Sequence, residues 1–203
     1  MKIIAIGRNY IDHAKELNNP VPAEPVVFMK PDTALLREGK AFIHPEFSND
    51  IHYEVELVIK ISKEGKHISE KFALNYIESI GIGIDFTARD IQEQCKQKGL
   101  PWEIAKAFDG SAPIGEFKSL KEFNDLKNIE FSLYKNKDLV QKGNSKDMIF
   151  SFEAIISYVS KRFTLKKGDL IFTGTPAGVG KINIGDKFEA CIAEEKLLKL
   201  EIK

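Results

Sequence analysis

What most constrains this chain is a succession of short, strand-like runs with no regular alternation of helices between them. The runs are "KIIAIG" at 2–7, "VVFM" at 26–29, "YEVELVIKI" at 53–61 and "IESIGIGIDF" at 77–86. They continue with "IEFSLY" at 129–134, "DLIFTG" at 169–174, "KFEACIA" at 187–193 and "LLKLEI" at 197–202. All are rich in β-branched, aromatic or other apolar residues. Helix-period patterns are fewer. The clearest is "SFEAIISYVSKRF", where Ser151 stands as an N-cap ahead of Phe152, Ile155, Ile156, Val159 and Phe163. A second is expected from about Thr87 to Lys98, ending at Gly99 and Pro101. A short third, "YIDHAKEL", runs into the proline-rich segment "NNPVPAEP" at 18–25. Strands that outnumber helices without βαβ order predict an α+β domain built on a β core.

A chain of 203 residues with 43% hydrophobic content supplies one sizeable core, so a single domain over 1–203 is expected. Lys plus Arg and Asp plus Glu both number 30, which leaves no net charge to draw the chain to a polyanion. Nucleic acid is therefore not an expected partner. Cys95 and Cys191 show no CxxC or metal-finger spacing and read as reduced packing residues. No apolar run approaches a membrane span, and "MKIIAIGRNY" has too few apolar residues before Gly7 and Arg8 for a signal segment. No membrane partner and a cytoplasmic location are expected.

The stretch "IHYEVELVIKI" at 51–61 carries an oddity. In a strand, His52, Glu54 and Glu56 point one way and Tyr53, Val55 and Leu57 the other, so two carboxylates stand side by side, roughly 6 to 7 Å apart along the backbone. From Leu57 onward the run is apolar on both faces, as in a buried strand. Paired acids in such a place repel unless a cation compensates. Asp85, at the end of "SIGIGID", offers a third carboxylate, and three hard oxygen donors suit Mg2+ first, then Mn2+ or Ca2+. The alternatives are that Glu54 and Glu56 face solvent and that Asp85 caps the helix after it. His52 shares the acids' face and reads as a hydrogen-bonding neighbour; coordination by it would favour Mn2+ or Zn2+.

Three further features carry chemistry. In "GRNYIDHAKEL", His13 and Glu16 stand at i and i+3 on a short helix, where the carboxylate can orient the imidazole as a general base; the alternative is an ordinary exposed pair. Lys106 in "LPWEIAKAFDG" is a lysine among apolar residues, able to offer a fixed positive charge to an anionic intermediate or else snorkelling to water. The loop in "LIFTGTPAGVGKI", with Thr175 between Gly174 and Gly178, can aim backbone N–H groups at an anion or be a plain turn. It lacks GK[ST] and no helix follows, so nucleotide binding is disfavoured. His44 and His67 sit in loop-like contexts and are assigned no role.

Together these pieces resemble the fumarylacetoacetate hydrolase superfamily, and most closely its small acylpyruvase-like, single-domain members. The resemblance rests on "GRNYIDHAKE", "PVVFMKPDTAL", "IHYEVELVI", "GIDFTARDIQ", "KGLPWEIAKAFDGSAPIG" and "FTGTPAGVG", in that order over nearly the whole chain. It implies a β-rich layered roll with a few short helices, and a homodimer. It implies that Glu54, Glu56 and Asp85 hold Mg2+ or Mn2+. By the same resemblance His13 and Glu16 form a water-activating dyad on a mobile lid within about residues 1–20, and Gln92 helps position the histidine. Lys106 would bind substrate and stabilise an enolate, while Arg8 and Thr175 would contact the substrate's carboxylate end.

The substrate expected is a small 2-oxo acid. Cleavage of a 3-acylpyruvate between C3 and C4 leaves pyruvate enolate, which a divalent ion and Lys106 can both stabilise while His13 activates the attacking water. Hydrolysis is the first expectation because the dyad is present. Oxaloacetate decarboxylation and keto–enol tautomerisation pass through the same enolate and stand as alternatives. A non-catalytic module that senses a metal and a dicarboxylate is the alternative of another class. The sequence does not name the acyl group.

Overall fold

The computed structural model describes residues 1–16, 20–37 and 39–203. Strands β1 (Ile3–Gly7), β2 (Val26–Lys30), β3 (Leu35–Arg37), β4 (Ile51–Tyr53) and β5 (Val55–Ile61) come first. They are followed by β6 (Ile77–Ile84), β7 (Thr87–Ala88), β8 (Ala112–Ser119), β9 (Glu130–Lys135) and β10 (Asp138–Asn144). Last are β11 (Leu170–Phe172), β12 (Gly180–Lys181), β13 (Lys187–Ile192) and β14 (Glu195–Glu201). The helices are α1 (Ile11–Glu16), α2 (Glu70–Ala73), α3 (Arg89–Lys98), α4 (Glu103–Lys106) and α5 (Phe152–Arg162).

The strands form a large mixed sheet, β2-β1-β11-β5-β6-β8-β3, a four-stranded sheet, β10-β9-β13-β14, and a small one, β12-β4-β7. This is the expected α+β, β-rich architecture. β5 lies at the centre of the large sheet, hydrogen-bonded to β11 and β6, which explains why "LVI" is apolar on both faces. Its odd-numbered residues Val55, Leu57, Ile59 and Ile61 join the main core, which also takes Ile80, Ile82 and Ile84 of β6 and the inner faces of β9, β13 and β14. The opposite face carries a smaller cluster in which Val58 packs with Ile3, Ala5, Phe28 and Phe172. Even-numbered Glu54 and Glu56 share that second side.

Several boundaries differ from expectation. The run 53–61 is not one strand: the chain leaves the small sheet after Tyr53 and enters the large one at Val55, and Val55 N–H donates to the Gln141 side-chain oxygen at 2.9 Å. The helix expected from Thr87 begins at Arg89, because Thr87 and Ala88 pair with His52 and Ile51. It ends at Gly99 in the left-handed conformation (φ +64°), whose N–H returns to carbonyls of the last turn. Ser151 caps α5 as expected, accepting from Ala154 N–H at 3.3 Å. Strand β3 escaped the sequence reading because it is only three residues long, and β8 and β10 because proline, glycine or lysine interrupts their apolar pattern; the pairing of β8 with β6 and β3 makes it a strand. The end expected for the first helix at Leu17 lies outside the described residues. Among those residues, no helix is long and apolar enough to cross a membrane.

Candidate active site

The register of β5 against β6 assembles the acids. Glu56 pairs with Gly83, and one step on, Asp85 N–H donates to the Glu54 carbonyl at 2.8 Å. Alternation along "IGIGID" sends the isoleucines into the main core and the glycines and Asp85 to the other side. Gly83 has to be small there, since a Cβ would meet Phe172 and the Pro113 carbonyl at 2.8 Å. Glu54, Glu56 and Asp85 are 4%, 2% and 1% exposed, with ligand oxygens within 4.8 Å of one another. The solvent-facing reading of the glutamates is thereby excluded. So is the capping role for Asp85, whose carboxylate engages lysines instead.

Three cations are built against these acids. Lys106 Nζ stands 2.8 Å from both Glu54 Oε2 and Asp85 Oδ2. It is buried, so it does not snorkel, and although burial opposes its charge, Asp85 and Glu54 outweigh that and raise its pKa. Arg89 Nη2 donates to Glu54 Oε1 at 2.6 Å. Lys30, fully enclosed, lies 2.8 Å from Asp85 Oδ1 and also donates to the Ser111 carbonyl at 3.1 Å, to Ser111 Oγ at 2.9 Å and to the Lys106 carbonyl. Burial would raise the Glu54 pKa, but Lys106 and Arg89 hold it well below the carboxylate range.

Glu56 is placed differently. The hydrogen bond recorded for its carboxylate comes from Gly174 N–H, at 2.7 Å, and burial together with Asp85 and Glu54 pushes its pKa well up. A buried carboxylate crowded by two others, in a cluster of hard oxygen donors, fits a divalent cation such as Mg2+ or Mn2+.

On α1, His13 is 5% exposed rather than the exposed residue of the bland reading, and its Nδ1 lies 3.3 Å from Glu16 Oε2. Burial lowers the histidine's pKa, against opposing pulls from Glu54 and Glu16. The glycine loop is more than a turn. Its Gly178 N–H donates to both Glu16 oxygens, at 3.1 and 3.2 Å, so the loop serves two carboxylates of the site itself.

One cleft is lined by His13, Glu54, Glu56, Asp85, Lys106 and Gln92, and also by Arg8 and Thr175. Every site residue expected from sequence but Glu16 therefore lines it, and Glu16 joins through its contact with His13. Gln92 meets a different partner from the one expected: its Oε1 accepts from Arg89 Nη1 at 2.7 Å, which couples it to Glu54 rather than to the histidine ring. His52 bonds Asp50 through Nε2 at 3.0 Å and does not line the cleft. Lys30, Arg89, Phe28 and Trp102 were missed. A lysine closing the apolar run "VVFMK" was the available signal for Lys30, and the three-residue spacing from Gln92 was the signal for Arg89.

The family described as fumarylacetoacetate (FAA) hydrolase C-terminal matches residues 2–202. The chain belongs to the fumarylacetoacetate hydrolase family. It is 44% identical over 201 residues to the mitochondrial oxaloacetate tautomerase FAHD1 of Mus musculus, covering 99% of this chain and 91% of that protein. It is also 44% identical over 185 residues to the mitochondrial oxaloacetate decarboxylase of Dictyostelium discoideum, covering 91% of this chain and 85% of that one. Among solved structures, a fumarylpyruvate hydrolase from Pseudomonas aeruginosa in complex with Mn2+ and pyruvate matches with a TM-score of 0.93 at 34% identity, over 100% of this chain and 89% of that one. These relatives are enzymes, and the family and fold are those the motifs resembled.

Proposed function

We propose that this chain is an enzyme that acts on a small 2-oxo acid through its enolate, with keto–enol tautomerisation of oxaloacetate as its first reaction. The observation that carries the reading is the convergence, in one cleft, of a buried His13 held by Glu16, a buried Lys106 and three carboxylates. The relatives' names favour tautomerisation over the acylpyruvate hydrolysis that the dyad alone suggested.

Glu54, Glu56 and Asp85 would hold Mg2+ or Mn2+, which when bound supplies a Lewis acid that makes the carbon next to a carbonyl more acidic. His13 is neutral near pH 7 because burial lowers its pKa. With Nδ1–H donated to Glu16, Nε2 is the basic nitrogen, suited to take a proton from C3 or the enol and return it. Glu16 is fixed in that task by Gly178 N–H. Lys106 supplies a permanent positive charge for the enolate oxygen. Thr175 Oγ1 accepts from Gln141 at 2.9 Å, which leaves its own hydrogen to donate to a substrate carboxylate, with Arg8 as the second contact. Gln92 acts on the site through Arg89.

Hydrolysis of a 3-acylpyruvate is the second reading, favoured by the same dyad, with water as the atom His13 deprotonates. A homodimer and a cytoplasmic location belong to the proposal as well, although the relatives are mitochondrial by name.

Purified protein assayed with Mg2+ on enol-oxaloacetate, for CO2 release from oxaloacetate, and on acetylpyruvate tests this. Tautomerisation is expected to dominate, to stop with a chelator, and to fall at least about a hundredfold in His13→Ala. Turnover of none of the three would restore the non-catalytic module.

A further inference from the structure

Positive charge in the cleft exceeds what its acids match. Two of the three buried carboxylates are served by cations, Arg89 on Glu54, Lys30 on Asp85 and Lys106 on both, and the third, Glu56, by Gly174 N–H. Arg8 and Lys96 line the same cleft, and among the described residues no carboxylate lies within ion-pair distance of either.

Lys96 reaches the cleft by helical spacing. Arg89, Gln92 and Lys96 occupy positions i, i+3 and i+7 of α3, hence one face, and all three line the cleft. A lysine in the last turn of a helix ordinarily extends into water and favours the helix dipole, as exposed Lys98 does. Lys96 is half-buried, and burial with Arg89 and Arg8 lowers its pKa against the weaker pulls of Glu93 and Glu54. Arg8 holds a left-handed backbone (φ +60°) unusual for a non-glycine residue, with its guanidinium 6.0 Å from the Trp102 ring centroid. Strain retained at a cleft residue accords with a positioned binding group.

We propose that Lys96, together with Arg8, binds the second carboxylate of a 2-oxo dicarboxylic acid and so selects dianionic over monoanionic substrates. This rests on the reading of the cleft as a 2-oxo acid site, which accounts for the first carboxylate and the reacting carbonyl. The acid cluster with Lys106 takes one end of the molecule, and the cationic rim takes the other. A partly desolvated cation facing a carboxylate makes a charge-assisted hydrogen bond, and its removal lowers affinity by roughly tenfold to a hundredfold.

The test is calorimetric titration of the Mg2+-loaded protein with malate and with 2-hydroxybutanoate. These unreactive four-carbon analogues differ only in a distal carboxylate replaced by methyl. Wild type is expected to bind malate at least about tenfold more tightly. Lys96→Gln should lose that preference while binding 2-hydroxybutanoate as before, Lys96→Arg should recover most of it, and Lys98→Gln should behave as wild type. A malate preference unchanged in Lys96→Gln overturns the role of Lys96 and leaves the 2-oxo acid reading standing. Failure of wild type to bind either analogue overturns that reading, and this inference with it.

Discussion

Gly174 donates its backbone N–H to Glu56 Oε2 at 2.7 Å, across 118 positions of sequence. The same loop holds Glu16 through Gly178. One short segment after β11 thus fixes a carboxylate of the acid cluster and the residue that orients His13, so the two halves of the proposed chemistry share a support.

Gly174→Ala is expected to damage both. Its φ is +101°, a conformation L-residues rarely adopt, and a Cβ would lie 2.6 Å from that of Asn9. Asn9 cannot easily yield, being buried and bonded to the Thr173 carbonyl and to both backbone polar groups of Phe150. A loss of roughly 2–5 kcal/mol is expected in urea unfolding, with weaker Mg2+ binding. Wild-type stability would show that the loop is not constrained as described.

Glu56→Gln should act in opposite directions on stability and metal affinity. Glu56 is the buried acid pushed upward by burial and its two neighbours, so neutralising it relieves repulsion. With chelator present, the variant should melt no lower than wild type. Titrated with Mg2+, it should bind more weakly and gain less thermal stability. Equal Mg2+ affinity in the two proteins would remove Glu56 from the ligand set.

Lys30→Met should be severe despite preserving an apolar stem. It strips Asp85 of one of its two ammonium partners and takes one donor each from the Ser111 and Lys106 carbonyls, which keep Phe86 N–H and Ser111 Oγ–H respectively. Breaking a buried pair from one side typically destabilises by about 3–5 kcal/mol. Thermal melting checks this, and a shift of only a degree or two would mean water replaces the ammonium readily.

His13 sets a pH dependence of definite sign. Its folded pKa lies below the ordinary 6.5 because of burial, so below that pH the unfolded chain binds a proton that the native one refuses. The stability this residue contributes is full above about pH 6.5 and declines as the pH falls toward the folded value. The acidic limb of kcat/KM should likewise lie below 6.5. Glu16 pulls the His13 pKa upward, so Glu16→Gln should move that limb to still lower pH while reducing kcat. A limb displaced upward would contradict the assigned pairing.

The local parts of this protein were legible in its residues. Alternation placed Glu54 and Glu56 on one face, the apolar run after Leu57 announced a central strand, and Ser151 and Gly99 marked helix ends, because periods of 2 and 3.6 and capping preferences act over a few residues. The same short range explains the errors. Thr87 and Ala88 looked helical until pairing with β4 claimed them, and β8 carried no strand pattern of its own until β6 and β3 lay beside it. What tertiary structure alone decided was convergence. Asp85 became the third acid because strand register set it against Glu54, and Lys106 lost its path to water because Asp85 and Glu54 enclose it. Glu56 met a loop more than a hundred residues away. Charge and residue type are carried by the sequence, but burial and distance, which determine what a charge does, exist only once distant segments are packed together.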